Sequence, residues 1–461
     1  MDTDSMFAAT TYSQRRRALM QRIGSGLILL LGHRDSPMNF RDNAYDFRQD
    51  ASFSYFCGLD QPDLALLFDA DSGEETLFAD DADVDHEVWT GPLPRATERA
   101  SRAGIAHAAP LAQLKQRLAD AQVKARTIHV LPAYRAETQL ALQALLGAAS
   151  PSPALIQAVV ALRAVKSDEE VAEIEDALQV TREMHLLAMR LARPGVVEQE
   201  IVGAMEGLAL ARGRRMAYAP IFSSRGEILH NHDHGVRLKG GEMIVNDSGA
   251  NSPRGYASDI TRTIPVGGRF QGLQADMYEL VLSAQAQAIA AAKPGVPYRD
   301  VHRLACRVMV QGLIGLGFMR GNGGEAVEAG AHAIFFPCGT GHMLGLDVHD
   351  MEGLGEDHVG YGDGFTRNPR FGDKSLRLAR PLQPGWVVTI EPGIYINPLL
   401  TNRWKAEGRH AAFIDYAMFE RHAGFGGIRI EDDVLITPQG ARVLGPAIPK
   451  VRSEVEALAA S

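Results

Sequence analysis

Cysteine is scarce in this chain: Cys57, Cys306 and Cys338 are the three among 461 residues, an odd number with no paired spacing. That excludes a disulfide framework or a zinc ribbon and fits a reducing compartment, so a cytoplasmic location is expected. Basic runs are short as well. Nothing exceeds Arg15-Arg16-Arg17, and Lys+Arg 47 against Asp+Glu 56 leaves a net charge of −9. So little positive charge releases few counterions from phosphates, and nucleic acid is not an expected partner. Long apolar runs are missing too. None approaches the roughly 18 residues of a spanning helix, so no membrane partner is expected, and the run Leu27–Leu31 between Gly26 and Gly32 reads as a buried strand rather than a secretory segment. What remains is 46% hydrophobic and 22% charged, the balance of a globular protein long enough for two to four domains.

Up to about residue 150, strand runs (Leu27–Leu31, Leu64–Phe68, Glu75–Ala79, Thr127–Leu131) alternate with helical stretches (Leu111–Ala121, Thr138–Leu146). Asp71-Ser72-Gly73 between two of those runs predicts a hairpin turn. Ala149-Ser150-Pro151-Ser152-Pro153 then interrupts the chain, because the residue before a proline avoids the helical region. This places one domain over 1–160 and another over 161–461.

The second part repeats itself. Ser167 and Glu170 form a predicted capping box, and Val171, Ile174, Leu178, Met184 and Leu187 keep a helical period until Pro194-Gly195. Arg193-Pro194-Gly195-Val196 leads into a helix over Glu198–Ala211, and Lys293-Pro294-Gly295-Val296 leads into another over Arg299–Leu316. Residues 239–249 align without a gap on 383–393, each an apolar strand ending in a carboxylate followed by x-Gly. A second acid-bearing strand follows in each half, Tyr256–Ile264 with Asp259 and Ile428–Ile436 with Glu431. Two helix-helix-strand-strand halves predict a pseudo-two-fold α+β domain.

That symmetry would bring Asp247, Asp259, Glu391 and Glu431 to one centre, where carboxylates taken from water repel unless a cation joins them. His342 follows Gly341, which lets the backbone approach closely, and is read as a nitrogen ligand on a strand. Four carboxylates and one imidazole suit a pair of manganese-like ions better than a thiolate-rich zinc site. Such a pair can hold a hydroxide and polarise a carbonyl.

These residues resemble the dinuclear metallopeptidases of pita-bread fold, in their aminopeptidase P and prolidase branch. The resemblance rests on Asp247-Ser-Gly, Tyr256-x-x-Asp259-Ile-Thr-Arg-Thr, Gly341-His342-x-Leu-Gly-Leu-Asp-Val-His349-Asp, Thr389-Ile-Glu391-Pro-Gly and Gly427-Ile-Arg429-Ile-Glu431, in that order. Phe47–Gly58 and Glu87–Gly91 extend it to the family's smaller α/β creatinase-like N-terminal domain. It implies metal ligands at Asp247, Asp259, His342, Glu391 and Glu431, with Glu391 also handling the proton of the attacking water. His230 and His349 resemble histidines that contact substrate and steady the tetrahedral intermediate, and Arg429 would orient a carboxylate ligand. The implied cofactor is two divalent ions, Mn²⁺ with Co²⁺ or Zn²⁺ as alternatives. The implied substrates are peptides with proline in second position, and the implied assembly is a homo-oligomer, dimer or tetramer.

Three departures bear on specificity. Cys338 stands where many members carry a histidine near the proline pocket, one extra residue separates Asp247 from Asp259, and the insert Asn397–Gly426 is more like prolidases. A free thiol at Cys338 reads as a small buried residue with no cation beside it. Trp89 reads as a packing residue or a substrate gate, and His232 and His234 as part of a solvated loop. The expected activity is Xaa-Pro aminopeptidase. The alternatives are an Xaa-Pro dipeptidase and, disfavoured by the full ligand set, a non-catalytic pita-bread interaction protein.

Overall fold

The computed structural model describes residues 6–460, and the chain divides into two compact units. The first comprises Met1–Arg163 with Met351–His358, the second Ala164–Asp350 with Val359–Ser461.

In the first unit the apolar strand β1 (Leu27–Leu31) is buried on both faces, as a run without alternation requires. It lies between β2 (Ala65–Asp69), antiparallel, and β5 (Ile128–Val130), parallel. β3 (Glu75–Phe78) and β4 (His107–Ala109) complete the order β4-β3-β2-β1-β5. The predicted hairpin turn joins β2 to β3, with the Gly73 amide donating to the Asp69 carbonyl, 2.7 Å, at a positive φ that glycine tolerates. Around the sheet run α1 (Ala9–Ile23), α2 (Ala51–Cys57), α3 (Val84–Thr90), α4 (Ala96–Arg102), α5 (Ala112–Val123), α6 (Ala136–Leu146) and α7 (Pro153–Ala164). Sequence patterning missed α1 to α4 and α7. Pro153 opens α7 rather than breaking it, since a first-turn proline loses no helical hydrogen bond. The basic run also has a structural use. Arg16 is fully buried, ion-pairs with Glu75 at 2.8 Å, and donates to the Phe56 and Ala103 carbonyls at 2.8 and 2.9 Å.

In the second unit α8 (Asp168–Leu191) starts at the predicted capping box, where both the Ser167 and Glu170 side chains are engaged, an arrangement that contributes about 1 kcal/mol. It packs on α9 (Glu198–Ala211), as α10 (Leu273–Ala291) packs on α11 (Tyr298–Gly315). α12 (Gly323–Ala329) follows, and a short α13 (Glu356–Val359) comes later in the chain. The first half's sheet is β6 (Ile221–Ser223), β7 (Met243–Ser248) and β8 (Ile260–Pro265), antiparallel throughout. The second half pairs β9 (Val387–Ile390) with a later strand, and β10 (Gly393–Ile396) with another. The insert folds into α14 (Pro398–Ala406), capped by the Asn397 side chain, and α15 (Tyr416–Arg421).

Two expectations need correction here. The second acid-bearing strand of the C-terminal half is not continuous: β11 (Gly426–Arg429) pairs with β10, the chain breaks at Ile430-Glu431, and β12 (Asp432–Thr437) pairs with β9 and β13 (Gly440–Val443). One segment thus serves two sheets, and Glu431 sits at the switch. In the first half, the strand begins only at Ile260, so Asp259 precedes it.

Candidate metal centre

The five residues arrive from strand ends and one loop. Asp247 lies on β7, Asp259 just before β8, Glu391 just after β9, and Glu431 between β11 and β12. His342 comes from an irregular segment whose one ladder contact is Met343 opposite Val388, not from the expected strand. Gly341 is needed there: a Cβ would lie 2.1 Å from the Thr389 carbonyl oxygen and 2.3 Å from the Tyr298 hydroxyl. The backbone of His342 is held by Thr389 Oγ1 at 3.1 Å.

The donor atoms of Asp259, His342 and Glu431 lie within 4.8 Å of one another, all buried. His342 Nδ1 faces its neighbour's carbonyl, Met343 O, at 3.0 Å. That fixes the tautomer and leaves Nε2 directed at Asp259, 3.4 Å away, and Glu391, 3.6 Å away. Asp247 joins through Arg429, whose guanidinium pairs with it, and through Tyr218. The two halves are sewn together nearby. Thr261 on β8 donates to Glu431 at 2.6 Å, and Asp433 on β12 accepts from the Asp259 amide at 3.0 Å.

The electrostatics are those of a site that lacks positive charge. Burial, and then Asp259, Glu391 and Asp247, push the Glu431 carboxyl well above its ordinary pKa. Burial raises Glu391 to about 7, reinforced by Asp259 and Asp247 and opposed by His342 and Arg429. His342 is raised as well, but against burial, which opposes its charge: Asp259 and Glu391 outweigh that effect. The Tyr218 hydroxyl stands 2.6 Å from Asp247 Oδ1 and 2.5 Å from Asp259 Oδ1. It has one hydrogen for two carboxylates. Oxygen-rich donors with a single imidazole fit hard or borderline divalent ions, and such ions answer this deficit.

The other sequence-predicted residues fall into distinct places. The His349 ring lies 4.1 Å from that of His342, centroid to centroid, so the bend after Gly345 does bring both into one pocket. The following residue, Asp350, anchors that bend through a fully buried ion pair with Lys166, 2.8 Å. His230 is exposed, and partial burial followed by Arg429 lowers its pKa. Arg429 also donates to the Tyr395 hydroxyl at 2.8 Å. Burial, then Glu391, pushes the Cys338 thiol up to about 12, although Arg429 does act on it as a cationic neighbour. His232 and His234 reach the Pro220 and Phe222 carbonyls at 3.3 and 3.0 Å. Trp89, 86% exposed, is not a packing residue within the chain. Sequence reasoning missed Tyr218 and gave no role to Thr261 and Thr389, although both threonines lie within the quoted motifs. Tyr218 stands alone before a short strand, and nothing in its neighbours marks it.

Comparison with known proteins follows the same lines. Residues 172–438 match metallopeptidase family M24, and residues 12–130 match the aminopeptidase P N-terminal domain. A relative in Paracoccidioides brasiliensis named "Probable Xaa-Pro aminopeptidase" is 32% identical over 98% of this chain and 97% of its own. One so named in Aspergillus fumigatus is 32% identical over 95% and 93%. Among solved structures, a Pseudomonas aeruginosa aminopeptidase superposes with a TM-score of 0.81 at 29% identity, over 98% of both chains. Aminopeptidase P from E. coli, with the inhibitor Pro-Leu, gives 0.80 at 27% identity over 98% of both.

Proposed function

The chain belongs to metallopeptidase family M24, with an aminopeptidase P N-terminal domain ahead of a pita-bread catalytic domain, and from that premise we propose how its residues divide the work. It is an Xaa-Pro aminopeptidase, releasing the N-terminal residue of peptides whose second residue is proline. The observation that carries the reading is the buried convergence of Asp259, His342 and Glu431 beside Asp247 and Glu391.

In this proposal Asp247, Asp259, His342, Glu391 and Glu431 hold two divalent ions, manganese being favoured by the oxygen-rich donors. When bound, the ions polarise the scissile carbonyl and acidify the attacking water. Glu391, with Oε1 3.6 Å from His342 Nε2, takes the water's proton and passes it to the leaving proline nitrogen. His349, beside His342, donates to the carbonyl oxygen as negative charge develops there, and His230 contacts the substrate from the open side. Arg429 and Tyr218 hold the Asp247 carboxylate in place, Tyr218 reaching Asp259 as well. A homo-oligomer and a cytoplasmic setting belong to the same reading, the latter supported by three cysteines that are all free.

A second reading, a dipeptidase, is favoured by one feature. The insert closes one side of a cavity of about 320 Å³ lined by Leu229, Pro337, Phe371, Tyr395, Leu400 and Arg403. Arg403, largely exposed and ion-paired with Glu407 at 2.9 Å, is the lining cation that the carboxylate of a dipeptide would have to engage. The deciding measurement is hydrolysis of an Xaa-Pro dipeptide and an Xaa-Pro-Yaa tripeptide by one sample, chelated and then reloaded with Mn²⁺. Chelation should abolish both activities and Mn²⁺ restore them, with kcat/KM higher for the tripeptide. Full activity in protein shown by elemental analysis to be metal-free would overturn the metal assignment, and cleavage of the dipeptide alone would favour the second reading.

A further inference from the structure

A second cluster of ligand-type side chains lies in the catalytic unit, apart from the carboxylates. His302 and Cys306 stand four residues apart on α11, so one face of the helix presents both. His332 comes from the single helical turn Ala331–Ile334. The three are 3%, 0% and 2% exposed, and their donor atoms lie within 4.8 Å of one another. Cys306 Sγ is 3.6 Å from His302 Nε2, the separation two donors adopt when bonds of about 2.0–2.3 Å meet tetrahedrally at one ion.

The hydrogen bonds point the same way. His302 Nδ1 meets Thr340 Oγ1 at 2.8 Å, and with Nδ1 as the donor in that contact Nε2 keeps its lone pair facing the cluster. The Val327 backbone is the hydrogen-bonding neighbour of the His332 ring, which leaves a buried ring nitrogen without a partner beside His302 and Cys306. A buried imidazole nitrogen left unsatisfied is rare in native proteins and calls for a partner. Burial keeps both rings neutral, the form that ligates, lowering His302 to about 3 and His332 to about 4. Asp373, anchored by Arg370 at 2.7 Å, adds negative charge that acts on both His302 and Cys306. Burial holds the Cys306 thiol well above its ordinary pKa, so a bound ion would have to displace that proton.

We propose that His302, Cys306 and His332 hold a single structural zinc ion, separate from the two ions of the catalytic centre. Two imidazoles and a thiolate select zinc over magnesium, calcium or manganese. On binding, the Cys306 thiol gives its proton to solvent as the sulfur–metal bond forms, and nothing is oxidised or reduced. The ion does not touch substrate. It braces the loop entering His342, because Thr340, held by His302, also accepts through its carbonyl from the Glu391 amide at 2.8 Å and the Tyr298 hydroxyl at 3.0 Å.

The test uses the full-length protein loaded with zinc, the carboxylate centre then exchanged to manganese, and excess metal removed. Zinc-edge X-ray absorption should show one retained zinc per chain with one sulfur neighbour at about 2.3 Å and nitrogen neighbours near 2.0 Å. The carboxylate centre has no sulfur ligand, so the sulfur signal is specific to this cluster. Cys306→Ser should remove the sulfur neighbour and the retained zinc, whereas Cys338→Ser should leave both. A wild-type zinc shell of oxygen and nitrogen alone, no retained zinc, or loss of the sulfur signal in Cys338→Ser in place of Cys306→Ser would each overturn the proposal. The wild-type spectrum decides the matter even where Cys306→Ser fails to fold.

Discussion

The two halves of the catalytic unit place carboxylates at corresponding strand ends, yet surround them differently. In the first half, Asp247 and Asp259 are bridged by the Tyr218 hydroxyl, and Asp247 is also paired with Arg429. In the second, Glu391 and Glu431 are pushed to higher pKa by burial, Glu391 to about 7. Glu391 lies 3.6 Å from the His342 imidazole, whose ring in turn packs on that of His349. A duplicated frame can therefore be specialised by what packs around it. The first pair shares one hydroxyl and a guanidinium, whereas in the metal-free protein the second pair keeps a proton toward neutral pH.

The most severe way to break this contrast is to remove the residue proposed to carry the proton. Glu391→Gln keeps the shape and loses the basicity, so kcat should fall by about 10²- to 10⁴-fold. Activity within a few-fold of wild type at full metal occupancy, measured by elemental analysis on the assayed sample, would erase the distinction between the halves. His349→Ala should follow, with kcat lower by about 10- to 10³-fold at unchanged metal content and little change in KM. Loss of a metal ion would instead make His349 a ligand.

Tyr218→Phe probes the other side. It removes a hydroxyl that serves two carboxylates but takes no part in proton transfer, so metal affinity should weaken by about 10- to 100-fold. At saturating Mn²⁺, kcat should be nearly restored. A kcat that stays low at full occupancy would mean that the first half also does chemistry.

The smallest effect expected is on stability. In stripped protein Glu391 holds its proton up to about pH 7, whereas an unfolded glutamate releases it near about 4.3. Between those values the folded state binds more protons than the unfolded one, so stability of the stripped form falls as pH rises. Bound ions hold the carboxylates ionised and remove that dependence. Buried His185, lowered to about 4 by burial and then Arg262, titrates alike in both forms and cancels. The gap in Tm between Mn²⁺-loaded and chelated protein should widen from pH 5 to pH 8. A constant or narrowing gap, by calorimetry, would contradict the raised pKa of the second half.

What the residues alone determined was local or repeated. The run Leu27–Leu31, the Ser167/Glu170 capping box and the turn at Gly73 depend on neighbours in the chain, and all appear where expected. The gap-free repeat of 239–249 in 383–393 placed two acids at matching strand ends because an internal duplication is written in the sequence itself. The first four helices escaped notice because packing, not periodicity, settles short amphipathic segments. Only the tertiary structure decided the break at Glu431, since whether a strand keeps one partner or changes sheets depends on which edges are free to pair. It also decided the donors. Arg429 reaches Asp247 across 182 residues and Tyr218 reaches Asp259 across 41, while His332 joins His302 and Cys306 from another turn. Ligand types are a property of residues, but which donor meets which acceptor is a property of distance in space, and no local pattern encodes it.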